Sequence, residues 1–332
     1  MATVKTLSHV PSFASIWAAA LSRPPVARSA SLPQTVFAVR DVRIDPERSA
    51  QFDHVLGVSA SDYVHPGFLH VLAFPVALSL MAAPRFPAPL LGLVHVKNSV
   101  LQHRPITVGE RIDIDCHVQN LAPHRRGRTF EAVSVISSGG SIIATDVSTY
   151  LARGQGAAEI SDESSSKRSA RPPFTPRPPS ARWRLPANTG RTYASVSGDI
   201  NPIHMSALSA KAFGFPSAIA HGMYTASRAF SEAGPDLARP LRWDVEFAAP
   251  VLLPATVWVS YADDGGGRTE FQGYKAARPR RGADSENAPA PAARLHFSGS
   301  VENLDARGVR EAEQGTSIDD QGSGTGSSGE SR

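Results

Sequence analysis

The sequence predicts an α+β protein made of two similar units, each an antiparallel sheet wrapped around one long apolar helix. Three observations predict it. They are a faint internal repeat, one apolar helical run followed by several alternating strand-like runs in each half, and a Pro/Ser-rich break between the halves. With 332 residues and 41% hydrophobic content, the chain can bury two ordinary cores.

The repeat has two anchors. His65-Pro66-Gly67-Phe68 precedes the apolar run Leu69 to Met81, just as Ala220-His221-Gly222-Met223 precedes Tyr224 to Ala233. Further on, the run from Arg104 to Ile114 matches the run from Ala249 to Val259 in the position of its proline (Pro105, Pro250) and in its apolar alternation.

In chain order, residues 1–33 read as an N-terminal extension. Residues 1–40 carry four Lys/Arg and no acid, a composition shared with organellar transit peptides, but they lack the apolar core and small-residue cleavage site of a secretory signal. Residues 34–152 form the first unit: an early strand, the helix opened by a glycine, then strands near Leu93 to Leu101, Arg111 to Asn120, Thr129 to Ser137 and Ser141 to Leu151. Residues 153–180 are poor in aliphatics and carry five prolines after Arg171, so they form a partly extended linker. Residues 181–304 form the second unit, with strands near Trp243 to Phe247, Thr256 to Tyr261, Thr269 to Ala276 and Ala293 to Val301. Arg278 to Ala292, with three prolines, reads as a loop inserted between two of these strands. Residues 305–332, ending in a Gly/Ser run, cannot bury enough apolar surface to order themselves and are expected to be a disordered tail. Runs of strands around one long helix per half make this a double hot-dog plan.

Composition narrows the function. The formal charge is +4, but the acid-free N-terminus accounts for the excess, which argues against a broad nucleic-acid-binding face. Only small basic clusters remain, such as His124-Arg125-Arg126-Gly127-Arg128, either a solvated loop or a phosphate contact. The most nearly continuous apolar stretch, Val71 to Pro84, falls short of the roughly 20 residues that cross a bilayer, so no membrane partner is expected. Cys116 is the single cysteine and lies in an alternating strand-like run; no internal disulfide or cysteine-based zinc site can form, and a reducing, cytoplasmic setting fits, with the acid-free N-terminus keeping an organellar address open.

The chemistry-bearing segment is Tyr193-Ala-Ser-Val-Ser-Gly-Asp-Ile-Asn-Pro-Ile-His204, followed by Ala212-Phe-Gly-Phe-Pro-Ser-Ala-Ile-Ala-His-Gly-Met-Tyr224. Gly198 and the Asn201-Pro202 pair impose a turn, so Asp199 and His204 sit on an irregular loop that can bring both to one point. A carboxylate and an imidazole there can hold one water, one group taking a proton and the other returning one. Asn201 can fix the loop through local hydrogen bonds. Gly222 opens the apolar helix, where free N–H groups and the helix dipole favour an oxyanion. Each piece alone has a structural reading: Asp199 as a helix cap, His204 and His221 as packing histidines, Gly222 as a plain helix-start glycine. Their combination in this order favours the functional one.

The motifs Tyr-x-x-x-Ser-Gly-Asp-x-Asn-Pro-x-His and Gly-Phe-Pro-x-x-Ile-Ala-His-Gly-Met resemble the MaoC-type dehydratases, also called R-specific enoyl-CoA hydratases or hydratase 2. The resemblance implies Asp199 and His204 as a catalytic dyad, Gly222 N–H as the oxyanion donor, and Asn201, Tyr193, Gly198, Pro202 and His221 as supporting or substrate-binding residues. Across roughly residues 15 to 304, the two-halved layout, with His-Arg-Arg-Gly in the first half and Pro-Val-Leu-Leu-Pro-Ala-Thr in the second, is similar to the actinobacterial 3-hydroxyacyl-thioester dehydratases. Their N-terminal segment also resembles Ser15 to Asp45, which weakens the transit-peptide reading. The implied activity is reversible hydration of trans-2-enoyl thioesters to (R)-3-hydroxyacyl thioesters. It needs no cofactor and no metal beyond the coenzyme A or acyl-carrier-protein arm that arrives with the substrate.

Counting back from Gly67 by the Asp199-to-Gly222 spacing lands near Ile44-Asp45-Pro46, where no Asp is followed by His five residues on. The first unit is therefore expected to be a non-catalytic partner that completes the acyl tunnel. The chain would then act as a monomeric pseudo-dimer or as a homodimer. Two other readings stay open: a hot-dog thioesterase, and a non-catalytic acyl-thioester-binding subunit.

Overall fold

The computed structural model describes residues 3–22, 31–154, 174–277 and 292–318. The linker residues 155–173 and the inserted segment 278–291 lie outside them, as do residues 319–332 of the expected tail.

The chain begins with β1 (Thr3–Leu7) and α1 (Phe13–Leu21), the latter capped by Ser12, whose side chain accepts from the Ser15 N–H. The first unit continues with β2 (Thr35–Arg43), α2 (Pro46–Leu56), α3 (Pro66–Met81), β3 (Leu93–Gln102), β4 (Arg111–His124), β5 (Gly127–Ser138) and β6 (Ser141–Arg153). Nearly every residue of α3 is buried, so it has no polar face to turn outward and serves as the axis on which the strands wrap. On β4 the side chains of Ile112, Ile114, Cys116 and Val118 point inward in strict alternation. The β5–β6 turn uses Gly139 and Gly140, both at positive φ, as a tight hairpin requires.

The second unit comprises β7 (Ala181–Leu185), α4 (Thr189–Ser197), the short α5 (Pro202–Met205) and α6 (Ala207–Ala212), α7 (Gly222–Ala233), then β8 (Leu241–Phe247), β9 (Ala255–Asp263), β10 (Arg268–Lys275) and β11 (Arg294–Asn303). The strands lie where the alternation placed them, and both central helices match the apolar runs.

The two units do not keep separate sheets. Among the described residues, the eleven strands form one sheet in the order β1-β2-β4-β5-β6-β3-β8-β11-β10-β9-β7. Setting β1 aside, the order reads the same from either end about the β3–β8 seam. That seam is antiparallel, pairing Lys97 with Glu246 and Val100 with Trp243, and Ser99 Oγ donates to Asp244 Oδ1 across it at 2.6 Å. The two sheets expected from the sequence are therefore one. A seam strand alternates like any other, so periodicity carries no sign of which strand it meets.

The ends also depart from expectation. Residues 3–21, set apart as an extension, are built into the first unit: β1 pairs in parallel with β2, and Phe13 of α1 packs on Phe74 of α3 with ring centroids 5.8 Å apart. The expected disorder from residue 305 is corrected for 306–318, which form α8 (Ala306–Ile318), held by a 2.8 Å contact between His103 Nδ1 and Glu313 Oε1 and an i,i+4 pair between Arg307 and Glu311. The low apolar content that suggested disorder there is compatible with a surface helix tethered by charge. Among the described residues, no helix is long and apolar enough to cross a membrane.

The axes α3 and α7 meet at Gly67, where an added Cβ would collide with Ser227 Oγ. That close approach sets the two units face to face, and a cavity opens beside it.

Candidate active site

The loop that carries Asp199 is fixed at both ends. Helix α4 stops at Gly198, whose left-handed φ of 75° turns the chain out of the helix. Asp199 follows at once; its N–H donates to Ser197 Oγ (3.2 Å) and its Oδ1 accepts from Asn201 N–H (3.1 Å). Asn201 then caps α5 through its Oδ1, which accepts from Ile203 N–H (3.4 Å), and Pro202 occupies the first helical position, where no N–H is needed. This single turn of helix delivers His204. Gly190 of α4 makes the delivery possible, because a Cβ there would run into the His204 carbonyl.

His204 is oriented by its Nδ1, which donates to the Ile219 carbonyl at 2.9 Å. A carbonyl can only accept, so that nitrogen carries the proton and Nε2 is left with its lone pair. The His221 ring stacks on His204 at 3.6 Å between centroids, and its Nε2 donates to the backbone carbonyl of Asp199 at 3.0 Å. Donor atoms of Asp199, His204 and His221 all lie within 4.8 Å of one another. The sequence thus brings its proposed dyad to one point, with His221 as an orienting neighbour.

A triad of this kind could also hold a divalent cation. A metal ion would have to displace the hydrogen bond from His221 Nε2 to the Asp199 carbonyl. The donors that remain open, one carboxylate and His204 Nε2, suit a water molecule better than a metal coordination shell.

Electrostatics favour uncharged forms here. Burial raises the Asp199 carboxyl above its ordinary range, against the opposing pull of His204, the Asn201 N–H and His70. Burial lowers His204, with Asp199 pulling the other way. His221 is lowered well below its usual value, first by burial and then by His204. Its 3.6 Å contact with Asp199 Oδ2 is therefore a contact of a neutral ring, not an ion pair. The Asp199 side chain keeps 17% of its surface exposed, which is its access to the cavity.

Helix α7 starts at this point. His221 is its N-cap but makes no side-chain cap bond, and Gly222 as first residue has no intrahelical acceptor for its N–H. A Cβ on Gly222 would lie 3.0 Å from the Phe247 ring, so glycine keeps the helix start open against the wall of β8. Tyr193 is buried 5.0 Å from the His221 ring and forms part of the cavity wall; burial, then Asp199, pushes its phenol pKa up.

Asp199, Asn201, His204, His221, Gly222 and Tyr193 all line one cavity of about 520 Å³. Half of its wall comes from the first unit: His70, Val71, Phe74 and Leu78 of α3, Val94 and His95 of β3, Tyr150 and Leu151 of β6. Trp17 of α1 lines it too, and Phe13 lies against Gly198, so the N-terminal segment helps wall the site. Sequence reasoning missed Gly190 and, although it expected the first unit to complete the tunnel, it named none of the first-unit residues that line it. Gly190 had a signal, a glycine within a helical run; the lining had none, because it depends on how two units pack. Cys116 is buried away from the cavity and its thiol is pushed up to about 12, first by burial, so it is no nucleophile.

Fold and site define a hot-dog protein of the dehydratase type, and the chain belongs to the MaoC-like dehydratase family, the pattern of the MaoC like domain matching residues 169–278. It is 35% identical over 250 residues to 3-hydroxyacyl-thioester dehydratase X of Mycobacterium tuberculosis, an alignment covering 75% of this chain and 88% of that protein. The crystal structure of HtdX from M. tuberculosis matches with a TM-score of 0.64 at 33% identity, over 80% of this chain and 99% of that one. A MaoC-like dehydratase from Phytophthora capsici shares the fold at a TM-score of 0.58 and 20% identity, over 82% of this chain and 96% of that one.

Proposed function

We propose that the chain catalyses the reversible hydration of trans-2-enoyl thioesters to (R)-3-hydroxyacyl thioesters, with Asp199 and His204 sharing the reacting water. The observation that carries this reading is the placement of the Asp199 carboxylate and the His204 imidazole, with ring and carboxylate atoms within 4.8 Å of each other, beside the open first turn of α7. With the thioester carbonyl on the Gly222 N–H, the alkene lies alongside the two side chains. The water oxygen bonds to the third carbon, its proton passes to the dyad, and the dyad returns a proton to the second carbon on the same face. Negative charge on the thioester oxygen during this step is met by the Gly222 N–H and the positive end of α7. Atoms balance with no electron carrier. The R configuration follows the family.

Arg126 and Arg153 stand exposed on the cavity lining, where they suit the phosphate of a phosphopantetheine arm. That supports a thioester carried on coenzyme A or on an acyl carrier protein.

The test is loss of the conjugated-enoyl absorbance when the protein meets crotonyl-CoA and longer trans-2-enoyl-CoAs. A saturated acyl-CoA run beside them should release no free thiol. Thiol release without hydration would replace this reading with a thioesterase.

A further inference from the structure

The first unit contributes no acid–base pair in the style of Asp199 and His204, yet it places several polar groups on the cavity wall. His70 lies on α3, 5% exposed, and its Nδ1 donates to Asp146 Oδ2 at 2.6 Å. Among the described residues, its Nε2 has no hydrogen-bond partner, and the ring lines the cavity. His95 of β3 stacks on His70 (5.9 Å between centroids, 9° between planes) and on Tyr150 (4.9 Å). Its Nε2 is buried and also without a partner. Asp146 Oδ1 is a third unsatisfied buried atom of the group.

An apolar tail would find this expensive. Each buried polar atom left without a partner costs roughly 1–3 kcal/mol, and a plain alkyl chain laid across these rings has no polar atom to offer them. The neighbouring wall shows what a purely apolar lining looks like here: Val71, Leu78, Met81 and Leu90 offer no polar atom. The polar group is also close to the reacting centre. Phe247 touches the Gly222 position on one side and lies 5.2 Å from His95 on the other, while His70 influences the Asp199 carboxyl. One aromatic ring thus separates the oxyanion donor from His95.

We infer that His70, held by Asp146, and His95 form a hydrogen-bonding subsite for an oxygen on the acyl chain a few carbons beyond the reacting alkene. The preferred substrates are then thioesters whose acyl group carries a hydroxyl or carbonyl there, and not simple alkyl chains. A hydroxyl suits the pair because it can donate to one ring nitrogen and accept from the other, whichever way the two imidazoles are protonated. A site built to bond such a group discriminates against the analogue that lacks it far more strongly than an apolar pocket discriminates by size.

The inference rests on the proposed acyl-thioester function, so its test uses binding instead of turnover. Dissociation constants are measured by calorimetry on the full chain for a saturated medium-chain acyl-CoA and for the same thioester with one hydroxyl moved along the chain beyond the third carbon. Wild-type protein should bind at least one hydroxylated isomer roughly tenfold more tightly than the plain chain, the scale of one buried hydrogen bond. In His95→Phe, which keeps the ring stack and deletes the nitrogen, the ratio should fall towards one. His70→Leu should do the same, and pairing it with Asp146→Leu avoids stranding a buried carboxylate. A wild-type ratio of one or below at every position overturns the subsite and means the two nitrogens bond ordered water only, even where enoyl-CoA hydration proceeds. A tenfold ratio that collapses in the variants upholds it, even where hydration is absent and the dyad reading fails.

Discussion

The two central helices start in the same way and end up with opposite chemistry. Both follow a histidine N-cap, His65 before α3 and His221 before α7. In the first unit the next residue is Pro66, which has no N–H, and the following donor, Gly67 N–H, is taken by His65 Nδ1 at 2.8 Å. In the second, the next residue is Gly222, and His221 turns its ring away to bond the Asp199 carbonyl. One helix start is thus sealed, and the other keeps its first N–H open. The preceding loops diverge in parallel. Helices α2 and α4 both end on a left-handed glycine, Gly57 or Gly198. The residue after it is Val58 in the first unit and Asp199 in the second; five further on stand Tyr63 and His204. The two units share a frame and differ here in two loop side chains and one peptide N–H.

Breaking the open half should have the largest effect. Asp199→Asn or His204→Gln is expected to lower kcat for enoyl-CoA hydration about 10²- to 10⁴-fold, with the circular dichroism spectrum retained. Equal rates in wild type and variants would end the dyad assignment. Converting the second helix start into the first comes next. Gly222→Pro removes the N–H at a position where proline suits a helix, and should cost about 10²- to 10³-fold in kcat. Gly222→Ala, which keeps the N–H but crowds Phe247, is the control. If alanine and proline lose the same amount, the donor role is wrong and packing explains the glycine.

The pH profile sharpens the comparison further. Because burial raises Asp199, kcat/KM should fall about tenfold per pH unit as pH drops through a value above the ordinary aspartate range. Asp199→Asn should abolish that limb along with most of the rate.

The smallest effect concerns a buried carboxylate in the first unit, Asp53 of α2. Burial raises it from 3.8 to about 6, and its Oδ2 has no partner. A raised folded-state pKa means the penalty is absent below the unfolded value of 3.8, grows as pH rises to about 6 and is constant beyond. Asp53→Asn should therefore stabilise the protein by about 1 kcal/mol at neutral pH, after allowance for solvent screening, and by almost nothing near pH 3. Thermal melts at the two pH values read this directly, and activity should not change.

Much of this architecture was legible in the chain. Alternation gave β3 to β6 and β8 to β11, and the apolar runs gave α3 and α7, because both patterns are local consequences of burial. The turn at Asp199 was legible too, since Gly198 and Asn201-Pro202 favour one, but His204 sits in the single helical turn of α5 and not on the irregular loop expected for it. The sequence repeat aligns Gly67 with Gly222, whereas in the structure the N-caps His65 and His221 correspond, one residue out of that register. Counting back then landed on Asp45, which is merely the cap of α2, accepting from the Glu47 and Arg48 N–H groups. The second unit has more residues between its left-handed glycine and its N-cap than the first, and no count across unequal loops can keep register. The pairing of the seam strands, the docking of α1 and the His70–His95 pair were not legible, because each depends on contacts between segments far apart in sequence.

The β3–β8 seam has a consequence for how the cavity behaves in a test tube. Both of its walls belong to one polypeptide and are stitched by a continuous ladder of backbone hydrogen bonds. Specific activity should accordingly hold steady on serial dilution, where a pocket shared between two separate chains would come apart.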